Sequence, residues 1–168
     1  VLDEALAITV VDDGSTDGTP DKIRAWESRS NVRLVQRQEK PDLTASILAG
    51  TATAKSDVIV VMDADLSHPP ERLSAVVTPV LDGTHDVVVG SRYIAGGNTE
   101  NWPLHRQLLS RIGGWIARPI CDVNDATSGF FAFRRELTAS ISNHAHGYKI
   151  LLELLMANQG KLRVTEVP

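Results

Sequence analysis

The chain has 168 residues, with 17 Lys plus Arg against 21 Asp plus Glu and a formal net charge of −4. Apolar residues at 42% and charged residues at 23% describe one globular domain able to bury a core. Net acidity fits poorly with non-specific nucleic-acid binding, so no nucleic-acid partner is expected. The single cysteine, Cys121, excludes an internal disulfide and a Cys-rich zinc site. The longest apolar runs, such as residues 58–62, are far short of a membrane span.

Short β-branched runs alternate with longer amphipathic stretches. Residues 7–11 (AITVV) read as a buried strand, ended by Asp12-Asp13-Gly14-Ser15. Thr19 as N-cap and Pro20 in the first turn open a helix. Residues 32–36 form a second strand, and 43–54 a small-residue helix (Ala45, Ala49, Ala52) suited to close packing on a sheet. Residues 58–62 are the clearest strand. Ser67-His68-Pro69-Pro70-Glu71 starts a helix that continues through 76–81 and stops at Asp82-Gly83. Residues 87–89 are a strand ending at Gly90-Ser91-Arg92. A glycine-bearing loop over 95–101 follows, and Pro103 then opens a helix with a broad apolar face. A strand over 128–133, a helix over 150–156 and a last strand over 162–167 complete the pattern. This alternation predicts an α/β fold: a mostly parallel sheet with helices on both faces.

In open α/β sheets, ligands bind beyond the carboxyl ends of the strands, and here those ends carry charge. Asp63 and Asp65 follow the third strand. Residues i and i+2 of an extended segment point the same way, so both carboxylates can address one point. Two hard oxygen ligands suit Mg²⁺ or Mn²⁺ better than a strand end that merely caps a helix, because a cation offsets their repulsion. Met62 and Leu66 beside them are expected in the core. Asp12 and Asp13 are either turn residues or acceptors for a nucleotide's base or ribose. Arg92 and Arg106 are natural phosphate partners because the guanidinium fork matches phosphate oxygens. Trp102, Arg106 and Ser110 share a helix face, where a solvated arginine is an equally good reading. Arg111 and Arg118 form another stripe, better read as solvated than as a lipid contact. The histidines show no metal spacing, and His68 is assigned to the helix start. Phe130, Phe131 and Phe133 read as core with one exposed ring.

Taken together, VVDDGSTDGT (10–19), VMDADLSHPPE (61–71), VVVGSRY (87–93), the Trp102-x3-Arg106-x3-Ser110-Arg111 helix and DATSGF (125–130) occur in an order that resembles a known family. The resemblance covers nearly the whole chain. It is to the catalytic domain of family-two inverting glycosyltransferases with the GT-A fold, and most to the polyprenol-phosphate (dolichol-phosphate) mannose synthases. It implies that Asp12 and Asp13, with Ser15, line a nucleotide pocket, and that Asp63 and Asp65 bind Mg²⁺ or Mn²⁺ with Ser67 close by. It further implies that Arg92 and Arg106 contact phosphate groups and that Asp125 lies toward the acceptor. Asp65, Arg92, Arg106 and Asp125 are thus the expected catalytic group. The implied donor is GDP-mannose, the acceptor a polyprenyl phosphate, and the place of work the cytoplasmic membrane face, by peripheral contact.

Several features depart from the family pattern. Asp42 and Thr44 replace its Gly-Leu-Gly, adding a negative charge near the donor pocket, and Phe131 stands where Arg is usual. The family's first strand and a later Arg and Gly-x-Ser-Lys motif are not in residues 1–168, which are therefore expected to be one trimmed catalytic domain of low stability and little activity. The alternatives are a UDP-sugar (glucose or N-acetylhexosamine) transferase, a non-catalytic sugar-nucleotide binder, and a receiver-type signalling domain. The last shares the acidic pair and a later Asp but lacks a convincing Lys.

Overall fold

The structure is a computed structural model and describes residues 6–96, 123–141, 147, 149–158 and 160–168. The expected helix opened by Pro103, with Trp102, Arg106, Ser110, Arg111 and Arg118, lies outside the described residues. The described residues divide into two compact units, 6–55 with Gly147 and the remainder.

In the first unit, β1 (Ile8–Asp12) pairs in parallel with β2 (Val32–Gln36). Helix α1 (Thr19–Glu27) packs on β2, and α2 (Leu43–Thr53) packs on β1. Gly18, at φ 83, is the N-cap of α1 in place of the expected Thr19. Asp17 makes this possible, because its carboxylate accepts the Thr19 N–H at 3.0 Å and closes the turn one residue earlier. Helix α2 comes as close to β1 as its small residues predict: a Cβ on Gly50 would stand 2.9 Å from Val11 Cγ2.

In the second unit, β3 (Val58–Val61), β4 (Val87–Gly90), β5 (Phe131–Arg134) and β6 (Val164–Val167) form one sheet in the order β3-β5-β4-β6. The α/β class holds, but the sheet is mixed. Strand β6 is parallel to β4, whereas β5 runs antiparallel to both β3 and β4. Strand–helix alternation implies a parallel crossover only where a single helix separates neighbours. The long connection between β4 and β5 escapes that rule. A 3₁₀ turn at Pro70–Arg72 leads into α3 (Leu73–Leu81), which ends at Asp82 with Gly83 at φ 73, as the Asp-Gly signal predicts. Helix α4 (Ile150–Ala157) buries Ile150, Leu151, Leu154 and Leu155 on one stripe.

The core explains the strand order. Val87, Val88 and Val89 are all fully buried, so β4 is covered on both faces. Val76 and Val80 of α3 pack with Val88, Phe130 and Ala132. Phe130, Phe131 and Phe133 are all buried, so the expectation of one exposed ring is corrected: β5 lies inside the sheet, between two neighbours. Phe131 stacks on Phe133 with centroids 5.7 Å apart, which makes the departure from the family's Arg a core residue. Met62 and Leu66, expected in the core, are 40% and 94% exposed because the chain leaves the sheet at Val61.

Asp86, just before β4, ties the far end of this sheet. Its carboxylate accepts from the Arg163 backbone N–H at 2.8 Å and from Arg163 Nη2 at 2.9 Å, and pairs with Arg134 Nη2 at 3.0 Å. The hydrogen bond from the Arg163 side chain is the main reason its carboxyl lies below its ordinary value. A depressed folded pKa means that this stabilisation is complete above the unfolded value and is lost as pH falls below about 4. Asp86→Asn is expected to cost about 1–2 kcal/mol at neutral pH, with the gap to the parent closing in acid. Chemical denaturation of the intact protein at both pH values checks this.

Candidate active site

The two units each place part of the expected site. In the first, Asp12 ends β1 and is 5% exposed. It accepts the Ser15 backbone N–H at 3.2 Å, and the Ser15 hydroxyl is the largest cause of a carboxyl below its ordinary value. Asp13 is held by two donors: Arg37 Nη1 bonds one carboxylate oxygen, and the Asp42 backbone N–H reaches the other at 2.7 Å. Arg37 Nη1 also donates to Ser46 Oγ at 3.1 Å. Asp12, Asp13 and Ser15 thus cluster at one strand end, where Asp12 closes a local turn and Asp13 is held by the more distant Arg37 and Asp42.

The departures Asp42 and Thr44 act together. Asp42 is the N-cap of α2, accepting the Ala45 N–H at 2.9 Å, and its other oxygen accepts the Gly147 N–H at 2.8 Å. The Gly147 carbonyl in turn accepts from the Thr44 N–H and hydroxyl, both at 3.0 Å. The charge at Asp42, expected to bear on the donor, is engaged by these backbone donors. Thr44 is fully buried.

In the second unit, Asp63, Asp65 and Ser67 sit just past β3. The Ser67 N–H donates to Asp65 Oδ1 at 2.9 Å, and the Ser67 hydroxyl is the largest cause that holds the Asp65 carboxyl below its ordinary value. Ser67 therefore acts on Asp65 directly. Leu66 between them takes a φ of 64, a left-handed conformation costing a non-glycine residue about 1–2 kcal/mol. The Asp63 side chain is 44% exposed, and its Oδ2 lies 3.4 Å from His68 Nε2. His68 is stacked on Phe130, with centroids 5.2 Å apart and planes 19° apart. The sequence reading missed His68, since it assigned this residue to a helix start. No spacing rule links a residue before Pro-Pro to a ring in the turn that enters β5.

Gly129 is a further residue that the sequence reading missed. A Cβ there would stand 2.4 Å from Asp63 Oδ2, so the carboxylate rests where only glycine leaves room. Gly90 does the same for Phe130, whose Cδ1 would be 2.4 Å from its Cβ. Ser128 fixes this turn: its hydroxyl donates to the Gly90 carbonyl at 2.7 Å and accepts the Phe130 N–H at 3.1 Å.

Arg92 and Asp125 are brought together as an ion pair. Arg92 Nε and Nη2 donate to the two Asp125 oxygens at 2.7 Å each, and the Arg92 backbone N–H adds a third bond at 3.1 Å. Burial acts to lower the Arg92 pKa, but the Asp125 hydrogen bond and charge outweigh it and raise the value. The Asp125 side chain has no solvent exposure, and its carboxylate faces Arg92.

Asp63 and Asp65 could hold a divalent ion. Among the described residues no group of three or more His, Cys, Asp or Glu side chains converges on one point. The protein's share is then these carboxylates, with water and phosphate oxygens completing the sphere, which is how Mg²⁺ and Mn²⁺ are commonly bound. The donor set fits such an ion.

Residues 2–141 match the family described as glycosyl transferase family 2. The chain belongs to this family. It is 42% identical over 166 residues to a dolichol-phosphate mannosyltransferase of Pyrococcus furiosus, covering 96% of this chain and 46% of that protein. It is 36% identical over 173 residues to an undecaprenyl-phosphate mannosyltransferase of Micrococcus luteus, covering 96% and 70%. The chain spans about half the length of the first of these curated relatives. Among solved structures it is similar to glucosyl-3-phosphoglycerate synthase from Mycobacterium tuberculosis with Mn²⁺ and UDP-glucose, at a TM-score of 0.69 and 25% identity, covering 95% of this chain and 56% of that one. The fold is accordingly GT-A-like, and the receiver-domain alternative falls. Among the described residues no helix is long and apolar enough to cross a membrane.

Gly129→Ala separates metal holding from folding. The Asp63 carboxylate can rotate away from the new methyl, so stability should change by less than about 1 kcal/mol. Mn²⁺ affinity of the intact protein, measured by calorimetric titration, should fall about tenfold.

Proposed function

We propose that residues 1–168 form one catalytic domain, the sugar-nucleotide-handling part of a hexosyltransferase that moves mannose from GDP-mannose to a polyprenyl (dolichyl) phosphate with inversion. The observation that carries this reading is the Asp63–Asp65 pair just past β3, with Asp63 seated against Gly129, in a chain whose relatives are named as dolichol- and undecaprenyl-phosphate mannosyltransferases. Asp63 and Asp65 would hold Mg²⁺ or Mn²⁺, with Ser67 orienting Asp65. Asp12, Asp13 and Ser15 would line the nucleotide side, and Arg92 and Arg106 would meet phosphate groups. Asp125 serves this reading through Arg92. Work at the cytoplasmic membrane face, by peripheral contact, follows from a polyprenyl acceptor.

The residue types suit the chemistry. A phosphate monoester has a second pKa of about 6 and is largely dianionic at neutral pH, so its oxygen attacks without a strong general base. The bond from that oxygen to the anomeric carbon forms as the bond to the nucleoside diphosphate breaks, which inverts the centre. When bound, the divalent ion supplies positive charge that offsets charge growing on the departing diphosphate. Arg92, with its guanidinium plane fixed by Asp125, supplies a further cation at a set orientation. Most of the acceleration then comes from positioning and charge.

A UDP-sugar donor is the second reading, favoured by the GT-A neighbour with Mn²⁺ and UDP-glucose. Thermal unfolding of the intact protein with GDP, GDP-mannose, UDP and UDP-glucose, each with and without Mn²⁺, separates them, since a ligand of the folded state raises the melting temperature. The expected outcome is a metal-dependent rise with GDP-mannose that Asp65→Asn abolishes. A rise with UDP-sugars alone transfers the assignment to the second reading. No rise with any nucleotide overturns both. Binding without turnover leaves a sugar-nucleotide binder.

A further inference from the structure

We infer that Glu166 is a positioning residue for Arg92, acting through the turn that carries Asp125. The inference rests on the transferase reading only for what Arg92 does; the geometry stands apart from it. Strand β6 runs parallel to β4 with Glu166 beside Val89, so its side chain arrives at the same sheet edge where β4 delivers Arg92. Glu166 Oε2 accepts the Asn124 backbone N–H at 2.9 Å and Asn124 Nδ2 at 2.6 Å, and Oε1 accepts the Asp125 N–H at 3.0 Å. Both carboxylate oxygens therefore pin two consecutive peptides. The pinned residue, Asp125, then grips Arg92 by three bonds.

The arrangement exceeds what holding the strand requires. Strand β6 already has its ladder to β4, and the Ser91 N–H donates to the Val167 carbonyl at 2.7 Å just beyond. The Glu166 side chain adds nothing to that ladder; it fixes the residue that orients the guanidinium. Asp125 takes the Nε–Nη2 edge and so fixes the guanidinium plane, including the way its Nη1 side points. The direction of that side depends on where the 124–125 turn is held. A bidentate recogniser is sensitive to such tilt, since misplacement of about 1 Å can cost up to about a hundredfold in rate. Glu166→Gln keeps the volume but turns one acceptor into a donor facing backbone N–H groups, so it loosens the turn without removing the strand.

Two readouts on the intact protein test this. The first is the Arg92 Nε–H resonance in ¹⁵N-arginine-labelled protein, assigned with Arg92→Lys. The second is steady-state transfer from GDP-mannose to a short polyprenyl phosphate. Glu166→Gln should shift and broaden the Arg92 signal, and raise about tenfold the same substrate KM that Arg92→Lys raises, with the other KM little changed. In the Arg92→Lys background its kinetic effect should vanish. An unmoved Arg92 signal overturns the inference. So does a moved signal with both KM values unchanged, because Glu166 is then merely structural. A moved signal in a protein whose parent transfers no sugar upholds the Glu166–Arg92 link and overturns the transferase reading instead. If Glu166→Gln does not fold, Glu166→Asp, which keeps the charge but shortens the reach, is read by the same criteria.

Discussion

The reversed direction of β5 is the constraint on which the second unit depends. Lying antiparallel between β3 and β4, this strand begins where they end. The turn that enters it is thereby delivered to the edge carrying Asp63 and Arg92. The close approaches follow from that placement: Phe130 against Gly90, Gly129 beneath the Asp63 carboxylate, and Asp125 on Arg92. Strand β6, parallel to β4, then brings Glu166 to the same edge. A parallel β5 would start at the opposite edge, and none of these contacts could form.

Charge is distributed unevenly along the chain. Asp13 is met by Arg37, Asp86 by Arg134 and Arg163, and Asp125 by Arg92. Asp63 and Asp65 differ, since among the described residues they meet His68 and Ser67 and no hydrogen-bonded arginine or lysine. Aspartates bonded to arginine inside the fold stabilise it, whereas Asp63, which feels Arg92 only through longer-range attraction, and Asp65 keep negative charge at a strand end that suits an added cation. That contrast separates structural aspartates from candidate ligands more sharply than their spacing does.

Much of this was legible in the sequence for a physical reason. Strands β1, β3 and β4 are runs rich in β-branched residues, with Asp12 and Gly90 ending β1 and β4 and Asp63 following soon after β3, and such runs declare both strand and strand end. The Asp63–Asp65 pair stands out in the sequence because a period of two in an extended segment would give both carboxylates one direction. Hidden from that reading were contacts set by tertiary geometry. The Thr44 bond to Gly147 spans 103 positions, and no local pattern signals it. The direction of β5, and with it the burial of Phe131, lies in its pairing between β3 and β4 rather than in local propensity. Leu66 reads as a core residue by composition but stands exposed at positive φ, because the chain turns sharply between Asp65 and Ser67.

The central claim is that the end of β3 presents two carboxylates that share a divalent ion with a nucleoside diphosphate. Electron paramagnetic resonance of Mn²⁺ bound to the intact protein, with GDP labelled by ¹⁷O on its β-phosphate, tests it most directly. The account predicts ¹⁷O broadening of the protein-bound Mn²⁺ lines, and loss of that bound signal in both Asp63→Asn and Asp65→Asn. A bound signal that persists in both variants, or that shows no broadening from the labelled diphosphate, would contradict it.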